Sequence, residues 1–200
     1  MRQLLVATRN VHKTEEISFI LEGLFRVLDL SAVADAPEVE ETGTTFIENA
    51  RLKAVAISKT TGGLVLADDS GLEVDALGGH PGVYSARYAG AGASDAENRE
   101  KLLEQMQQTD SGEPSRAARF RCVMVLARGA EKVTVFEGSV EGSIAETEKG
   151  ERGFGYDSLF IPDGYCETFG ELSGEVKNSM SHRGRALEQF KRWIAGKFAG

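Results

Sequence analysis

The chain has 200 residues, of which 41% are hydrophobic and 27% are charged, as is usual for a folded protein in water. Its 23 Lys and Arg residues face 31 Asp and Glu residues, and the net charge of −8 argues against a general binder of nucleic-acid phosphate backbones. No apolar run approaches the ~20 residues of a membrane-spanning helix, and the run before Arg9 is too short for a signal-peptide core.

These proportions predict a single domain that covers residues 1–200. Cys122 and Cys166 are the only cysteines, and without a CxxC pair or a metal-finger spacing we expect them to be reduced thiols. The expected location is therefore the cytoplasm, with neither a membrane nor a nucleic acid as a partner.

The first half of the chain alternates between strand-like and helix-like segments. An apolar stripe of Ile17, Ile20, Leu21 and Leu24 indicates a first helix. A second helix begins at the T-x-x-E capping box of residues 45–48. In chain order we predict a strand over 3–7, the first helix, a strand over 26–30, an acidic loop over 34–43, the second helix to about residue 60, and a strand over 64–68.

The second half adds a hairpin to this alternation. A glycine-rich irregular segment reaches residue 92, and a second capping box, Ser94 with Glu97, opens a helix that ends near Gln108. Residues 118–127 and 133–140 are predicted to pair as a hairpin across GAEK, and a last helix begins at about residue 182. Strands and helices in this order predict an α/β fold with a mixed sheet.

Two adjacent carboxylates, Asp68 and Asp69, follow the apolar run Leu64–Ala67 directly. Neighbouring residues of a strand point to opposite faces, so at least one carboxylate is expected to face a cleft or the interior. A buried carboxylate is costly unless a positive group meets it. The alternative is an Asx-type turn after the strand.

Cations stand at two predicted helix starts, where acids are normally preferred. Lys13 lies in the first turn after the expected cap Asn10, and His182 and Arg183 follow the expected cap Ser179 or Ser181. Backbone N–H groups together with Lys or Arg commonly hold phosphates. The alternative is that these cations are simply solvated.

Phosphates together with carboxylates indicate Mg²⁺, which is usually held by one or two carboxylates and by substrate phosphates. Asp69, Glu40 and Glu41 are the candidate ligands, with Asp68 in reserve. For Glu40 and Glu41 the alternative is a solvated turn, and the sequence leaves the choice between these two glutamates open.

The segment FGYD, residues 154–157, combines two aromatic rings with a carboxylate. Phe154 and Tyr156 can present flat faces to a planar ligand, and Asp157 can accept a hydrogen bond from a base N–H. The alternative is that both rings belong to the hydrophobic core.

Together these segments resemble the inosine triphosphate pyrophosphatase family, and most closely its bacterial members. The motifs occur in the family's order from the first strand to the last helix. They are ATRNVHK (7–13), EETGTTFIENA (40–50), ADDSGL (67–72), GVYSARYAG (82–90), FGYD (154–157) and SHRGRAL (181–187).

The resemblance implies an elongated α/β fold with flanking helices and two lobes around an active-site cleft. It implies a homodimer that uses Mg²⁺ to hydrolyse purine nucleoside triphosphates (ITP, dITP and XTP) to the monophosphate and pyrophosphate. Asp69 would be the catalytic base and a metal ligand, with Glu40 or Glu41 as the second acidic ligand. The implied triphosphate-binding residues are Thr8, Arg9, Asn10, Val11, His12, Lys13 and Ser70. Those around the base are Phe154, Gly155, Tyr156, Asp157, Lys177, His182 and Arg183.

Other functions compete with this interpretation. A nucleotide sensor that binds without turnover would keep Lys13 and FGYD but would not need the acid pair. A receiver domain carries its acid pair after the first strand, and a haloacid-dehalogenase-type phosphatase requires D-x-D, so neither pattern fits. Residues 84–88 are open to two interpretations, an interface or a cleft segment, of which the family's dimer favours the first.

Overall fold

The computed structural model describes residues 2–109, 115–129 and 132–198. Strands and helices alternate as predicted, and three short 3-10 turns, Leu30–Ala32, Asp75–Leu77 and Gly82–Arg87, connect some of them. The elements are β1 (Arg2–Val6), α1 (Val11–Ile20), β2 (Phe25–Leu28), α2 (Phe46–Thr61), β3 (Leu64–Val74), α3 (Asp95–Gln107), β4 (Ala117–Arg128), β5 (Lys132–Ile144), β6 (Phe160–Pro162), α4 (Gly174–Met180) and α5 (His182–Phe198).

The six strands form one mixed sheet in the order β2-β1-β3-β4-β5-β6. Strand β1 runs parallel to both β2 and β3, whereas β5 and β6 are antiparallel. The predicted α/β class with a mixed sheet is therefore confirmed. The consecutive strands β4 and β5 are neighbours, as the hairpin requires, while Ala130 and Glu131 of the predicted turn lie outside the described residues.

The chain divides into two compact units, and it passes from one to the other within β3, β4 and β5 and at the start of α5. The first comprises Met1–Asp69, Cys122–Gly138 and Arg183–Gly200, and the second comprises Ser70–Arg121 and Ser139–His182. No helix in the described part of the chain is long and apolar enough to cross a membrane.

The first unit buries apolar side chains on both faces of its strands. Leu66 lies in a core with Ile17 of α1 and Phe190 of α5, whereas Val65 lies in a second core with Ile57 of α2. Because side chains alternate along a strand, residues 64 and 66 of β3 face the core formed with α1 and α5, and residues 65 and 67 face the core formed with α2.

The second unit has a core of its own. Aromatic rings form its centre, with Phe120 and Phe160 at 4.8 Å between centroids and Phe160 and Phe169 at 5.2 Å. Leu102 and Met106 cover this core from α3.

Several element boundaries differ from the predictions. Strand β3 does not end at Asp68 but continues through both aspartates to Val74, so the Asx-type turn is wrong. Ser179 lies inside α4 and is not a cap, while Ser181 has an extended backbone directly before α5. The capping boxes at Thr45 and Ser94 both form.

Candidate active site

Asp68 lies at the centre of a buried ionic cluster in the first unit. Lys13 donates to Oδ1 at 2.5 Å, and the Nε of Arg183 donates to Oδ2 at 2.9 Å. The thiol of Cys122 also donates to Oδ2, at 3.1 Å, and Arg183 donates in addition to Glu16 at 2.5 Å. Both oxygens of Asp68 are therefore occupied by donors from the protein itself.

The cations of this cluster keep Asp68 ionised despite its burial. Burial alone raises the pKa of Asp68, but Arg183 and Lys13 outweigh it and hold the pKa well below the ordinary aspartate value. Burial and the negative charge of Asp68 raise the pKa of the Cys122 thiol far above its usual range. Cys122 is consequently an uncharged donor to Asp68 and is unsuited to nucleophilic chemistry.

Asp69 belongs to a second cluster, on the α2 side of β3. Lys53 donates to its Oδ1 at 3.0 Å, to Glu41 Oε1 at 2.7 Å and to the carbonyl oxygen of Asp68 at 2.8 Å. Oδ2 of Asp69 is buried and has no hydrogen-bond partner among the described residues. Two carboxylates, those of Asp69 and Glu41, thus share the ammonium group of Lys53.

Burial raises the pKa of Asp69 above that of an ordinary aspartate, although Lys53 and Lys13 act in the opposite direction. A raised pKa brings a carboxylate closer to the range in which a general base is most effective. Burial lowers the pKa of Lys53, but Asp69 and Glu41 outweigh this and raise it, so Lys53 remains charged.

Sequence reasoning missed Lys53, although the sequence carries a signal for it. Phe46, Ala50, Ala54 and Ile57 form the buried stripe of α2. Lys53 falls on the same stripe by its helical spacing. A lysine on an apolar stripe indicates a buried partner for its charge.

The loop that carries Glu41 is fixed by a tight contact with α2. The N–H of Gly43 donates to Oδ1 of the fully buried Asn49 at 2.8 Å. A Cβ at Gly43 would lie only 2.6 Å from that oxygen and 2.6 Å from Cβ of Glu48. Only glycine fits so close, and the contact sets the register in which Glu41 faces Lys53 while Glu40 is exposed.

The carboxylates of Asp69 and Glu41 fit a divalent cation. A buried carboxylate oxygen without a donor, such as Oδ2 of Asp69, is costly, and a cation would relieve that cost. The described residues contain no group of three or more His, Cys, Asp or Glu that could hold a metal. Mg²⁺ does not require one, because it commonly takes one or two carboxylates together with substrate phosphates. Both oxygens of Asp68 already accept hydrogen bonds, so Asp68 is less suited to bind a metal than Asp69.

Asn10 caps α1 with its own side chain, as predicted. Its Oδ1 accepts the N–H groups of His12 at 3.0 Å and Lys13 at 3.2 Å, and its backbone N–H donates to Thr8 Oγ1 at 3.1 Å. Arg9 donates to the carbonyl oxygen of Ala36 at 3.0 Å. Two backbone donors at this helix start are thus already used within the protein.

The other residues predicted to contact phosphate differ in exposure. Val11 and His12 are exposed, Thr8 is half-buried, and Ser70 is half-buried within β3. Lys13 is paired with Asp68 and its side chain is 16% exposed, so the alternative that it is simply solvated is wrong. An ammonium group has three N–H donors, and the pair with Asp68 uses one of them.

The FGYD segment of the second unit is organised around Asp157. Oδ2 of Asp157 accepts the Nζ of Lys177 at 2.5 Å and the N–H of Phe154 at 2.9 Å. Asp157 and Lys177 are both buried, and Lys177 Nζ lies 5.0 Å from the centroid of the Phe154 ring. Tyr156 is buried in the core, as one alternative held, and its hydroxyl donates to the carbonyl oxygen of Ser85 at 2.9 Å.

His182 and Arg183, at the start of α5, are both buried. The ring of His182 stacks on Phe120 with centroids 4.7 Å apart and planes 12° apart. Arg183 is 1% exposed, and its donors meet Asp68 and Glu16. The predicted solvated alternative is therefore wrong for Arg183.

The chain is similar to known proteins along nearly its whole length. A model of the Ham1 family matches residues 4–193. The dITP/XTP pyrophosphatase of Geobacter sulfurreducens is 50% identical over 192 residues, which is 96% of each chain. The dITP/XTP pyrophosphatase of Bacillus subtilis is 44% identical over 195 residues, covering 97% of this chain and 98% of that one. The solved structure of a HAM1 protein from Coxiella burnetii matches with a TM-score of 0.88 and 39% identity, covering 98% and 100%. These matches confirm the family resemblance drawn from the motifs.

Proposed function

This chain belongs to the Ham1 family, and on that premise we propose that it is a nucleoside triphosphate pyrophosphatase acting on dITP, XTP and ITP. Its products are the nucleoside monophosphate and pyrophosphate. The observation that carries the proposal is the adjacent acid pair in β3. Asp68 is paired with Lys13 and Arg183, whereas Asp69 keeps one buried oxygen without a hydrogen-bond partner in the described part of the chain.

Asp69 acts as the general base. Water attacks the α-phosphorus, the bond from that phosphorus to the bridging oxygen breaks, and pyrophosphate leaves. Asp69 accepts the proton of the attacking water, and the raised pKa of Asp69 supports this role. Lys53 fixes the carboxylate by its bond to Oδ1.

Glu41 and Asp69 are the proposed ligands for Mg²⁺, and the assignment is supported because Lys53 contacts both carboxylates and so brings them together. When bound, Mg²⁺ supplies positive charge against the phosphate oxygens. Glu40 remains an alternative ligand only by its place in the sequence, since its side chain is exposed.

Thr8–Lys13 and Ser70 bind the triphosphate in this proposal. Phosphoryl transfer depends chiefly on positioning and on stabilising charge that develops on the leaving group. Lys13 is the cation of this segment, and Asp68 holds it at a defined position. An ammonium group has three N–H donors, so it can bind Asp68 and a phosphate oxygen together.

The residues 154–157, Lys177, His182 and Arg183 are the proposed base-recognition residues. Hypoxanthine and xanthine present an O6 acceptor and an N1–H donor, whereas adenine presents a 6-amino donor and an unprotonated N1. A site built for the first pattern leaves polar groups unpaired against adenine, and such mismatches discriminate strongly. In this proposal the enzyme is a homodimer, as the resemblance implies, and is located in the cytoplasm, as the composition predicts.

A product assay tests the proposal. The purified protein is incubated with ITP, dITP or XTP and Mg²⁺, beside ATP and GTP, and a chelator serves as control. We expect pyrophosphate and the monophosphate, dependent on metal and weak with ATP and GTP. Orthophosphate as the product would move the attack to the γ-phosphorus. Tight binding of ITP without any product would instead favour the nucleotide sensor.

Asp69→Asn tests whether Asp69 acts as the catalytic base or only supports the fold. The substitution keeps the shape of the side chain but removes its basicity, so we expect most turnover to be lost while the protein stays folded. Near-normal turnover in this variant would exclude Asp69 as the base.

A further inference from the structure

The backbone of Gly155 is held on both sides by side chains of α3. Oδ2 of Asp95 accepts the N–H of Gly155 at 2.7 Å, and NH1 of Arg99 donates to its carbonyl oxygen at 2.8 Å. Asp95 and Arg99 are four residues apart, so they project from the same face of the helix. The two bonds fix both peptide groups that flank the Cα of Gly155.

Gly155 is the residue of its segment with the greatest conformational freedom. Its φ is +59°, a left-handed conformation that glycine enters and leaves easily because it has no Cβ. Two charge-assisted hydrogen bonds at its N–H and C=O oppose that freedom.

Arg99 is itself held in place by a second carboxylate. Its Nε donates to Glu148 Oε2 at 2.8 Å, and the same oxygen accepts the hydroxyl of Ser158 at 3.1 Å. A planar guanidinium can serve Glu148 and Gly155 at the same time, which an ammonium group on a flexible stem does less well. The network therefore links Gly155, through Arg99 and Glu148, to Ser158, which lies three residues further along the same segment.

The neighbours of Gly155 are anchored differently. Phe154 is fixed through buried Asp157, and Tyr156 through its hydroxyl on Ser85. Gly155 is fixed by the side chains of Asp95 and Arg99 on α3. A change in α3 can therefore alter this segment without touching its own residues.

We propose that Asp95 and Arg99 are positioning residues that fix the base-recognition segment 154–157 and so sharpen the preference for 6-oxopurine nucleotides. This inference rests on the proposed function, because it takes that segment as the part that reads the base. Discrimination by hydrogen bonds requires donors and acceptors held within a narrow range of distance and angle. If the backbone of Gly155 can move, binding of the base becomes weaker. The preference for 6-oxopurines over other bases then decreases.

Four variants and one control test this role. Asp95→Ala and Arg99→Ala each remove one bond to Gly155. Asp95→Asn keeps an acceptor oxygen, and Arg99→Lys keeps the charge but loses the planar pair of donors. Glu100→Ala, an exposed charge of the same helix, is the matched control.

For both alanine variants we expect the KM for ITP to rise about tenfold, as the loss of a hydrogen bond to a charged group implies. The ratio of kcat/KM for ITP over GTP should fall by a similar factor, while kcat changes by less than about threefold. Asp95→Asn should restore KM and the ratio, whereas Arg99→Lys should resemble Arg99→Ala. Faster amide exchange at Gly155 in the alanine variants would report the freed backbone directly.

A merely structural role predicts a different pattern. If Asp95→Ala and Arg99→Ala lower the melting temperature but match Glu100→Ala in KM and in the ITP:GTP ratio, the inference is wrong while the proposed function stands. If the unaltered protein turns over no ITP, the proposed function fails. The inference is then tested by measuring the binding of IMP to each variant by calorimetry. Weaker IMP binding in both alanine variants than in Glu100→Ala supports it, and equal or absent binding overturns it.

Discussion

Removing the guanidinium of Arg183 should destabilise the first unit far more than removing any exposed cation of the same helix. Arg183→Met keeps the length of the side chain but leaves Asp68 and Glu16 without their shared cation. Removing one partner of a buried ion pair costs about 3–5 kcal/mol. Asp68 keeps its bonds to Lys13 and Cys122, so we expect the lower end, about 3 kcal/mol.

Arg192→Met is the matched control, because Arg192 also lies on α5 and also pairs with a carboxylate. Its side chain is 78% exposed, with Nε 3.5 Å from Glu188, and such surface pairs contribute about 0.3–0.5 kcal/mol. The only tryptophan of the chain, Trp193, packs against the core of the first unit. Its fluorescence during urea unfolding therefore reports the stability of the unit that contains both arginines.

Measurements of stability and of base preference separate the ionic role of Arg183 from its predicted contact with the base. Arg183→Lys, which retains a charge, should lie between Arg183→Met and the wild type in stability. Equal urea midpoints for Arg183→Met and Arg192→Met, together with a lost preference for ITP over ATP, would refute the ionic argument. That result would leave base recognition, which the proposed function already includes, as the role of Arg183.

Three further predictions follow from single contacts. Lys53→Met should lower kcat for ITP on the order of 100-fold because Asp69 loses the donor that orients it, and steady-state rates within a fewfold of wild type would contradict this. Thr45→Ala should cost about 1 kcal/mol in urea unfolding by removing a capping box, and an unchanged midpoint would show that α2 does not depend on its cap. Ser31→Ala should raise the pKa of Asp29, which the hydroxyl and N–H of Ser31 lower below its ordinary value, and an NMR titration measures it. Asp29 stabilises the fold fully above the unfolded pKa of about 3.9, and this contribution disappears as the pH falls through the lower folded value.

The fold was most predictable from sequence where the deciding contacts are local. Both capping boxes join residues three positions apart, so the starts of α2 and α3 could be located from a few letters. The end of β3 depends instead on distant partners. Asp68 and Asp69 remain inside the strand because Lys13, Arg183 and Lys53 compensate them, and two of these cations are more than fifty positions away.

The candidate site was predictable in its residue types but not in its pairings. The sequence singled out the cation Arg183 at the start of α5, and in the structure it pairs with the carboxylates of Asp68 and Glu16. Glu41 contacts Lys53 whereas Glu40 is exposed, in a loop that the bond from Gly43 to Asn49 ties to α2. No periodicity in the sequence encodes that contact.

The adjacent aspartates of β3 have opposite environments because successive side chains point to opposite faces. On the α1 and α5 side, Lys13 and Arg183 pair with Asp68, and Arg183 also pairs with Glu16. On the α2 side, Lys53 pairs with both Asp69 and Glu41. In the proposed function, Asp68 holds a phosphate-binding lysine in place, whereas Asp69 takes part in binding Mg²⁺ and in the chemistry. One strand can supply both functions because the step from one residue to the next reverses the face.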